Sequence, residues 1–368
     1  MSQLGFAQDN IFVGTLKDQK TKKPIKYASI SINHSLYSVI SNERGEFNIK
    51  YTDKNDTLCI NCFGYLIKDI PIHSAKEEIY LKPVKTVLDE VVITALGPNA
   101  ILCRALDSSD KYNWTKDFTC QTETFACLKT KDSISWLLYS RDLYKITKRF
   151  SYSRLVDFDN IYNRYVCLDS INKPYFASEI LSFGAKYRMI LNSKKIKKNI
   201  EQGKLYDVLD LEIIPTYDDR DSIYIVTGYS KRDEYANSKY YIDAKTFAFI
   251  QMEDFDKNYR GNTSIVIDSV FGVLTFKEYD NKYYPANYYL KYNYRSKQDK
   301  TQRFEEKYLM NVVDFIPKEK DKSRGQNDFI LNEYLKNIKT DTITDIDKQR
   351  LILSEMLENK KIKSFISF

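Results

Sequence analysis

Histidine, glycine and proline are scarce in this sequence, which has 2, 11 and 8 of them among 368 residues. The low glycine and proline contents exclude collagen-like and low-complexity chains. A zinc peptidase needs histidines and a carboxylate in HxxE or HExxH spacing, and neither His34 nor His73 lies in such a motif. The sequence therefore predicts no zinc peptidase activity, no metal site and no other cofactor.

Signature motifs of other enzymes are missing as well. The chain has no GxGxxG motif or P-loop for nucleotides, and neither histidine lies near a nucleophile-elbow sequence. Carboxylate pairs such as Asp218-Asp219 and Glu253-Asp254 occur, but charge on a solvated turn explains them without a catalytic cleft. We therefore expect a protein that is not an enzyme and has no catalytic residues; a carboxylate-based hydrolase is the last of the alternatives.

No apolar run approaches the roughly 18–20 residues that a transmembrane helix needs. The net charge of +7 comes from 57 basic and 50 acidic residues, which are well mixed along the chain. A nucleic-acid-binding protein more often concentrates its basic residues on one face. The densest run, Lys194–Lys198, is interpreted as a solvated loop or helix face. The sequence thus predicts no transmembrane segment and no nucleic-acid partner.

Hydrophobic residues make up 43% of the chain, with 30 tyrosines and 20 phenylalanines, an enrichment that favours β-sheet. Among six cysteines, Cys59 and Cys62 have CxxC spacing, but inside a strand-like run they face opposite sides of a sheet. We expect free thiols that act as small apolar side chains. The alternative is a bridge between Cys120 and Cys127 across a hairpin in an oxidising compartment.

The first residues have the features of a secretory signal. Ser2–Gln8 contains small residues at Gly5 and Ala7, close to an A-x-A cleavage pattern. We interpret residues 1–8 as the tail of a signal peptide cleaved after Ala7, with an ordinary frayed terminus as the alternative. This interpretation predicts an exported protein that is periplasmic or associated with the outer membrane.

Residues 9–84 contain short alternating segments separated by turn residues, a pattern that predicts β-strands. Seven strands are predicted: Ile11–Leu16, Ala28–Ile32, Tyr37–Ile40, one through Phe47 and Ile49, Leu58–Phe63, Ile67–Ile72 and Glu78–Leu81. Seven short strands at this spacing are typical of a β-sandwich.

Five stretches of this region carry a family resemblance: Val13–Asp18, Lys23–Ile25, Ala28–Ile32, Ser41–Ile49 and Cys62–Tyr65. They resemble the carboxypeptidase regulatory-like domain, a transthyretin-like β-sandwich. Its structural motif falls on Gly14, Asp18, Pro24, Gly45, Phe47, Gly64 and Tyr65, and Asn42 stands where the family usually has Asp. Gly45 can supply the positive φ of a hairpin turn, Pro24 can preset a turn, and Tyr65 suits a corner with its hydroxyl at the edge.

Leu88–Thr94 resembles the linker that follows such a domain in TonB-dependent receptors of Bacteroidetes-type bacteria, but their plug and barrel do not fit the rest of this chain. Instead, Gly97 and Pro98 suit the N-cap and first residue of a helix that runs to Tyr112. Its apolar stripe is Ile101, Leu102, Ala105 and Leu106. The start of this helix is similar to the second region of poorly characterised envelope proteins that have the same front domain.

Residues 115–317 are predicted to be β, with these strands: Phe118–Leu128, Ser133–Tyr139, Arg164–Leu168, Val208–Ile214, Ser222–Gly228, Lys239–Ile242, Phe247–Asp254, Thr263–Val270, Val273–Tyr279, Tyr283–Tyr294 and Thr301–Val313. Tyr288 and Tyr292 share one face of their strand, and the face with Tyr289 and Lys291 is expected to be wet. The hairpin Lys239–Ile250 resembles the repeated hairpin of lipoprotein-carrier half-barrels. The tail from Asn327 is predicted to be a helix that docks on the sheet or binds a partner.

The fold class is therefore mainly β, in five parts: a signal-like tail (1–8), an N-terminal seven-stranded transthyretin-like β-sandwich (9–84), a linker (85–97), a larger curved antiparallel β domain with a few helices (98–320) and a helical C-terminal tail (321–368). The first functional hypothesis is a non-enzymatic exported cell-envelope protein, a binding platform for another envelope protein, a glycan or a lipid. The second is a periplasmic carrier of a lipid or other apolar ligand in a half-barrel. Trp114, Trp136, Tyr288 and Tyr292 are the candidate binding aromatics, although core packing is the simpler role for such rings.

Overall fold

The computed structural model describes residues 10–35, 37–84, 96–115, 118–130, 133–146, 156–167, 187, 189–190, 192–215, 222–230, 233–257, 265–299, 301–317, 353–358, 362 and 365–366. The signal-like residues 1–8, the linker stretch Leu88–Thr94 and the predicted helix from Asn327 to residue 352 lie outside these ranges. No helix among the described residues has the length and hydrophobicity to cross a membrane.

The front of the chain forms a β-sandwich of two sheets. Its strands are β1 (Asn10–Asp18), β2 (Ser29–Ile32), β3 (Ser38–Ile40), β4 (Glu46–Tyr51), β5 (Thr57–Asn61), β6 (Lys68–Pro71) and β7 (Glu78–Leu81). One sheet has the order β4-β1-β7 and the other β3-β2-β5-β6. Leu16, Ile30 and Phe47, each at most 2% exposed, belong to the core between the sheets. All seven predicted strands are confirmed.

A ten-stranded antiparallel sheet, the large sheet, makes up most of the remaining chain. Its strands are β8 (Phe118–Thr130), β9 (Ser133–Ile146), β10 (Val156–Cys167), β11 (Val208–Pro215), β12 (Ser222–Ser230), β13 (Asp233–Asp243), β14 (Phe249–Lys257), β15 (Ile265–Tyr279), β16 (Lys282–Ser296) and β17 (Arg303–Pro317). Their order is β10-β9-β8-β17-β16-β15-β14-β13-β12-β11, so β17 returns to pair with β8.

Several predicted strand boundaries are wrong. Ser133–Tyr139 and Lys239–Ile242 are parts of the longer strands β9 and β13. The described part of Thr263–Val270, from Ile265 onwards, and Val273–Tyr279 belong to one strand, β15, because its pairing with β16 continues on both sides of Gly272. The described part of Arg164–Leu168, up to Cys167, is the end of the longer strand β10, which is paired with β9 from Val156 onwards. In each of these places the antiparallel neighbours extend the strand beyond what the local pattern predicts.

One face of the large sheet packs against helix α1 (Pro98–Tyr112), and helix α2 (Ser193–Glu201) packs beside α1. Gly97 is the N-cap of α1, and the predicted apolar stripe of this helix is buried. The basic run lies on α2, where Lys194, Lys195 and Lys198 are exposed, as predicted. The Nζ atom of Lys197 lies 2.6 Å from the Asp107 carboxylate of α1.

The opposite face of the large sheet is covered by the front sandwich and by a C-terminal helical segment. Ile40 of the sandwich and Met356 and Phe365 of this segment share a core with Tyr289 of β16. The predicted docking of the tail is thus confirmed for residues 353–366, where they are described. Tyr289 is 0% exposed, so the predicted wet face is wrong at this residue. The alternation along β16 separates the two faces correctly, but it cannot show what docks on them.

The five cysteines with described side chains are free thiols: Cys59, Cys62, Cys103, Cys120 and Cys127. Cys120 and Cys127 lie in the same strand, β8, and belong to separate cores on its two faces. A rise of about 3.3 Å per strand residue places them about 23 Å apart. The alternative of a bridge across a hairpin is therefore wrong.

Candidate functional site

The front sandwich is held on the large sheet by a buried polar contact at Asn287 of β16. Its side-chain oxygen accepts hydrogen bonds from the hydroxyls of Ser38 (3.1 Å) and Thr275 (3.0 Å). Its amide donates to the Ser38 carbonyl oxygen (2.8 Å) and to Oδ1 of Asn311 (2.9 Å). Asn287 is 0% exposed. In such a low-dielectric environment hydrogen bonds are strong and an unpaired polar group is costly, so the arrangement of these partners is tightly defined. Because Ser38 lies in β3 of the sandwich, they fix how the two units meet.

Two sets of aromatic ring contacts also hold the front sandwich on the large sheet. The Tyr27 ring of the sandwich lies 5.3 Å from Phe271 and 6.2 Å from Tyr289. Phe63 stacks on Tyr241 at 5.2 Å, with 21° between the ring planes. Such pairs contribute about 0.5–1.5 kcal/mol each beyond the area that they bury. The sandwich is therefore anchored at several points.

A groove with a cavity volume of about 460 Å³, here termed the interface groove, lies between the sandwich and the large sheet. Its lining includes His34, Cys59 and Ile67 from the sandwich and Phe276, Lys277 and Tyr283 from the sheet. Small-molecule sites commonly have volumes of about 300–1,000 Å³ and apolar walls with a few polar groups. The interface groove has both properties, and both units contribute to it.

Burial shifts the pKa values of Lys277, Cys59 and Cys62, which line the interface groove. It lowers the pKa of Lys277 to about 8, and the Lys277 ammonium donates a hydrogen bond to the Ser35 carbonyl oxygen. Burial raises the pKa of the Cys59 thiol, whose Sγ lies 3.6 Å from the Thr57 carbonyl oxygen as a weak donor. It also raises the pKa of Cys62 to about 12. Reactive cysteines have lowered pKa values, so neither of these two thiols is an activated nucleophile.

Three potential metal ligands, His34, Cys59 and Asp69, lie together beside the interface groove. Their ligand atoms are all within 4.8 Å of one another, and Nε2 of His34 is 3.3 Å from Oδ2 of Asp69. Cys59 is buried, whereas His34 and Asp69 are exposed. Imidazole, thiolate and carboxylate groups all bind zinc in proteins. Among the described residues, this group could therefore hold a metal ion.

Asp18, Gly64 and Tyr65 of the family motif form a corner of the sandwich. The Asp18 carboxylate accepts hydrogen bonds from the backbone N–H groups of Thr21 (2.6 Å) and Lys20 (2.8 Å) and from the Tyr65 hydroxyl (2.9 Å). These bonds, that of Thr21 first, lower the pKa of Asp18. Gly64 has a φ of +80°, which turns the chain just before Tyr65. The corner residues therefore have a structural role.

The other motif residues also act locally in the sandwich. Gly45 has a φ of +77°, and a Cβ atom there would lie 2.4 Å from the Leu16 carbonyl oxygen, so only glycine fits without a backbone shift. A Cβ atom at Gly14 would lie 2.8 Å from the Phe47 ring, so this glycine gives the ring its space. Pro24 forms an isolated bridge with Lys17 of β1 at the predicted turn.

The four candidate binding aromatics lie on the α1 side of the large sheet and not in the interface groove. Trp136, Tyr288 and Tyr292 are 1%, 5% and 5% exposed and belong to the core beneath α1. Trp114 is half-buried and packs edge-on against Phe315 at 5.2 Å. The structure thus brings these aromatics into one core, where they make packing contacts.

The groove residues were not predicted as site residues from the sequence. His34 follows β2, whereas Lys277 lies in β15, and the two meet only because the sandwich docks on the large sheet. No spacing within the chain signals this proximity. The sequence offers two weak signals for this group: the scarcity of histidine and the CxxC spacing of Cys59 and Cys62.

Comparison with known proteins supports the assignment of the front sandwich. Residues 12–93 match the family model of the CarboxypepD_reg-like domain. No curated protein matches the chain.

Three solved structures have some similarity to the chain. One is a domain described as an outer membrane lipoprotein-sorting protein from Vibrio parahaemolyticus, 14% identical over 66% of this chain and 99% of that one, with a TM-score of 0.27. A DUF1329 family protein from Desulfovibrio piger is 13% identical over 60% and 91%, with a TM-score of 0.26. A LolA superfamily protein from Nitrosomonas europaea is 10% identical over 59% and 93%, with a TM-score of 0.23. TM-scores this low do not establish a shared fold.

Proposed function

We propose that this chain is a non-enzymatic binding protein of the cell envelope, in which the front sandwich and the large sheet together form the binding platform. The observation that carries the proposal is the interface groove of about 460 Å³, to which both units contribute. Its walls combine the apolar side chains of Phe276 and Ile67 with the polar groups of His34 and Lys277. A ligand or a partner segment that fills the groove would contact both units at once.

The packing on the α1 side favours a platform over the second candidate, a carrier of a lipid or other apolar ligand. A carrier needs an apolar cavity inside its half-barrel. Below α1, however, large side chains such as Trp136, Tyr284 and Tyr308 are each at most 1% exposed and belong to one packed core. The interface groove and a smaller cavity lined by Phe125 and Leu309 both lie on the sandwich side of the large sheet.

The location in the cell is part of the same proposal. The match of residues 12–93 to the CarboxypepD_reg-like domain supports an envelope protein. The interpretation of residues 1–8 as the tail of a cleaved signal peptide agrees with a location in the periplasm or at the outer membrane. The resemblance of Leu88–Thr94 to the linker of TonB-dependent receptors supports an origin in Bacteroidetes-type bacteria. Another envelope protein, a glycan or a lipid is the partner that we expect.

Native mass spectrometry of the full-length protein, purified gently from its own envelope fraction, tests this function. We expect a co-purified partner or ligand that is lost from Ile67→Arg, because Ile67 lines the groove and is 50% exposed. Val13→Arg is the matched control, since Val13 is 48% exposed on the same sandwich but does not line the groove. A lipid mass retained by both variants would contradict the platform and support the carrier.

A further inference from the structure

The group of His34, Cys59 and Asp69 is assembled from three segments of the front sandwich. Antiparallel pairing of β5 with β6 places Cys59 directly opposite Asp69, and cross-strand partners have Cβ atoms about 4.5–5.5 Å apart. Pairing of β2 with β5 places Ile32 opposite Leu58, so the turn that follows Ile32 carries His34 to the same place. The register of three adjacent strands therefore brings the three side chains together.

The turn that presents His34 is fixed to β5 by hydrogen bonds. The N–H of Ser35 donates to the Ile32 carbonyl oxygen at 2.7 Å. Oδ1 of Asn33 accepts the N–H of Thr57 at 2.7 Å, and its amide donates to Asp56 at 2.7 Å. These bonds fix the backbone of the turn that carries His34, and a rigid backbone favours a preorganised metal site.

The backbone of this turn has an unusual residue for its conformation. Asn33 and His34 have φ values of 48° and 52°, which together with the closing hydrogen bond define a type I′ turn. Glycine is the usual second residue of such turns, as in Asn-Gly. A left-handed conformation costs a non-glycine residue some backbone strain, although histidine adopts it more readily than most other residues.

We propose that Nε2 of His34, Sγ of Cys59 and a carboxylate oxygen of Asp69 form a binding site for a zinc ion, with the fourth coordination position open to the interface groove. Tetrahedral bonds of about 2.0–2.3 Å place ligand atoms roughly 3.3–3.8 Å apart. The His34–Asp69 separation of 3.3 Å already has this value, and Sγ of Cys59 lies within 4.8 Å of both other ligand atoms. Nitrogen and sulfur ligands select zinc over magnesium or calcium.

A simple surface ion pair between His34 and Asp69 explains less of the structure. Such exposed pairs contribute little to stability, and they require neither a buried thiol beside them nor a strained turn. Three protein ligands and one open position are instead the arrangement of zinc sites that accept an exogenous ligand. The site goes beyond the proposed platform function, because it needs no groove ligand in order to bind metal.

Cobalt titration of the reduced, metal-free full-length chain tests the site. We expect one equivalent of Co²⁺ to bind with a thiolate-to-cobalt charge-transfer band, and Zn²⁺ to displace it. Cys59→Ala should lose the band, and Asp69→Asn and His34→Gly should weaken binding by about tenfold or more. Circular dichroism shows whether each variant is folded, and Asp69→Asn changes only one half-exposed side chain.

Cys62→Ala and His73→Ala are matched controls, because each removes the same type of side chain from the sandwich outside the three-residue group. Both variants should keep the charge-transfer band. Ile67→Arg should also keep it, so this variant shows whether metal binding is independent of ligand binding in the groove. Lack of stoichiometric cobalt binding by the wild-type chain, or a band that persists in Cys59→Ala, would overturn the proposal.

Discussion

The front sandwich and the large sheet are both β structures with buried cores, but their sequences specify them over different distances. Turns of the sandwich are closed by side chains within the turn. The Asp18 carboxylate accepts the N–H of Thr21 at 2.6 Å, and Oδ1 of Asn42 accepts the N–H groups of Arg44 and Glu46 at 2.8 Å. In the large sheet, burial depends instead on which units dock on each face. Local turn residues thus predict where the strands begin and end. Whether one face of a sheet is buried depends instead on the tertiary contacts that cover it.

The largest effect is expected where the two regions meet. Asn287→Ala should lower the free energy of unfolding by about 3 kcal/mol, because it leaves the Ser38 carbonyl oxygen and the Asn311 side chain without their buried partner. Urea unfolding followed by circular dichroism and tryptophan fluorescence measures this loss. Asn293→Ala, in which a half-buried amide loses its bond to Ser269, is the control and should lose less than about 1 kcal/mol. Equal losses of unfolding free energy in the two variants would show that Asn287 does not hold the sandwich on the large sheet.

A comparison of two glycines tests the local specification of the sandwich. Gly45→Ala should destabilise the protein by about 2–3 kcal/mol, because its φ is +77° and the new Cβ would meet the Leu16 carbonyl oxygen at 2.4 Å. Gly64→Ala has a similar φ of +80° but no atom within 4 Å of the new Cβ, so about 1 kcal/mol is expected. Thermal unfolding of both variants distinguishes conformational strain from a steric clash. A smaller loss at Gly45 than at Gly64 would contradict this account.

The large sheet has a charged cluster on its sandwich-facing side. The Glu305 carboxylate lies 2.9 Å from Lys307 and 3.2 Å from Lys291. Burial alone would raise the pKa of Glu305, but the charges of Lys307 and Lys291 outweigh it, and the pKa is lowered. A lowered pKa in the folded state contributes stability above the unfolded value of about 4.3, and this contribution is lost as the pH falls through the folded pKa.

Glu305→Gln should therefore lower the free energy of unfolding at pH 7 by about 1–2 kcal/mol. The difference from the wild-type chain should shrink below about pH 4, as measured by urea unfolding across pH. Glu78→Gln, which removes an exposed partner of Lys17, is the control and should change little. A difference for Glu305→Gln that is independent of pH would show that its charge is not responsible.

The sequence could predict what depends on neighbours along the chain. The seven sandwich strands and the N-cap of α1 at Gly97 are confirmed because alternation and capping are local signals. The burial of Tyr289 and the lining of the groove by Lys277 could not be predicted, because both arise only when the sandwich docks. The group of His34, Cys59 and Asp69 depends on strand register, which no spacing rule supplied.

The smallest expected effect is at His34. It tests whether the left-handed backbone at this residue costs the sandwich stability. In the metal-free protein, His34→Gly should raise the free energy of unfolding by about 0.5 kcal/mol, because glycine relieves the left-handed strain but adds freedom to the unfolded chain. His34→Ala removes the same imidazole and keeps the strain, so it should show no gain.

With zinc present the wild-type chain should become more stable than His34→Gly, since only the wild-type chain keeps all three metal ligands. A ligand at a hundred times its dissociation constant stabilises a protein by about 2.7 kcal/mol, which exceeds the gain from glycine. Thermal unfolding of the three chains with and without zinc measures both effects. If His34→Gly were less stable than His34→Ala without metal, the turn would not be strained. The left-handed φ of 52° at His34 would then give no support to a functional site in the sandwich.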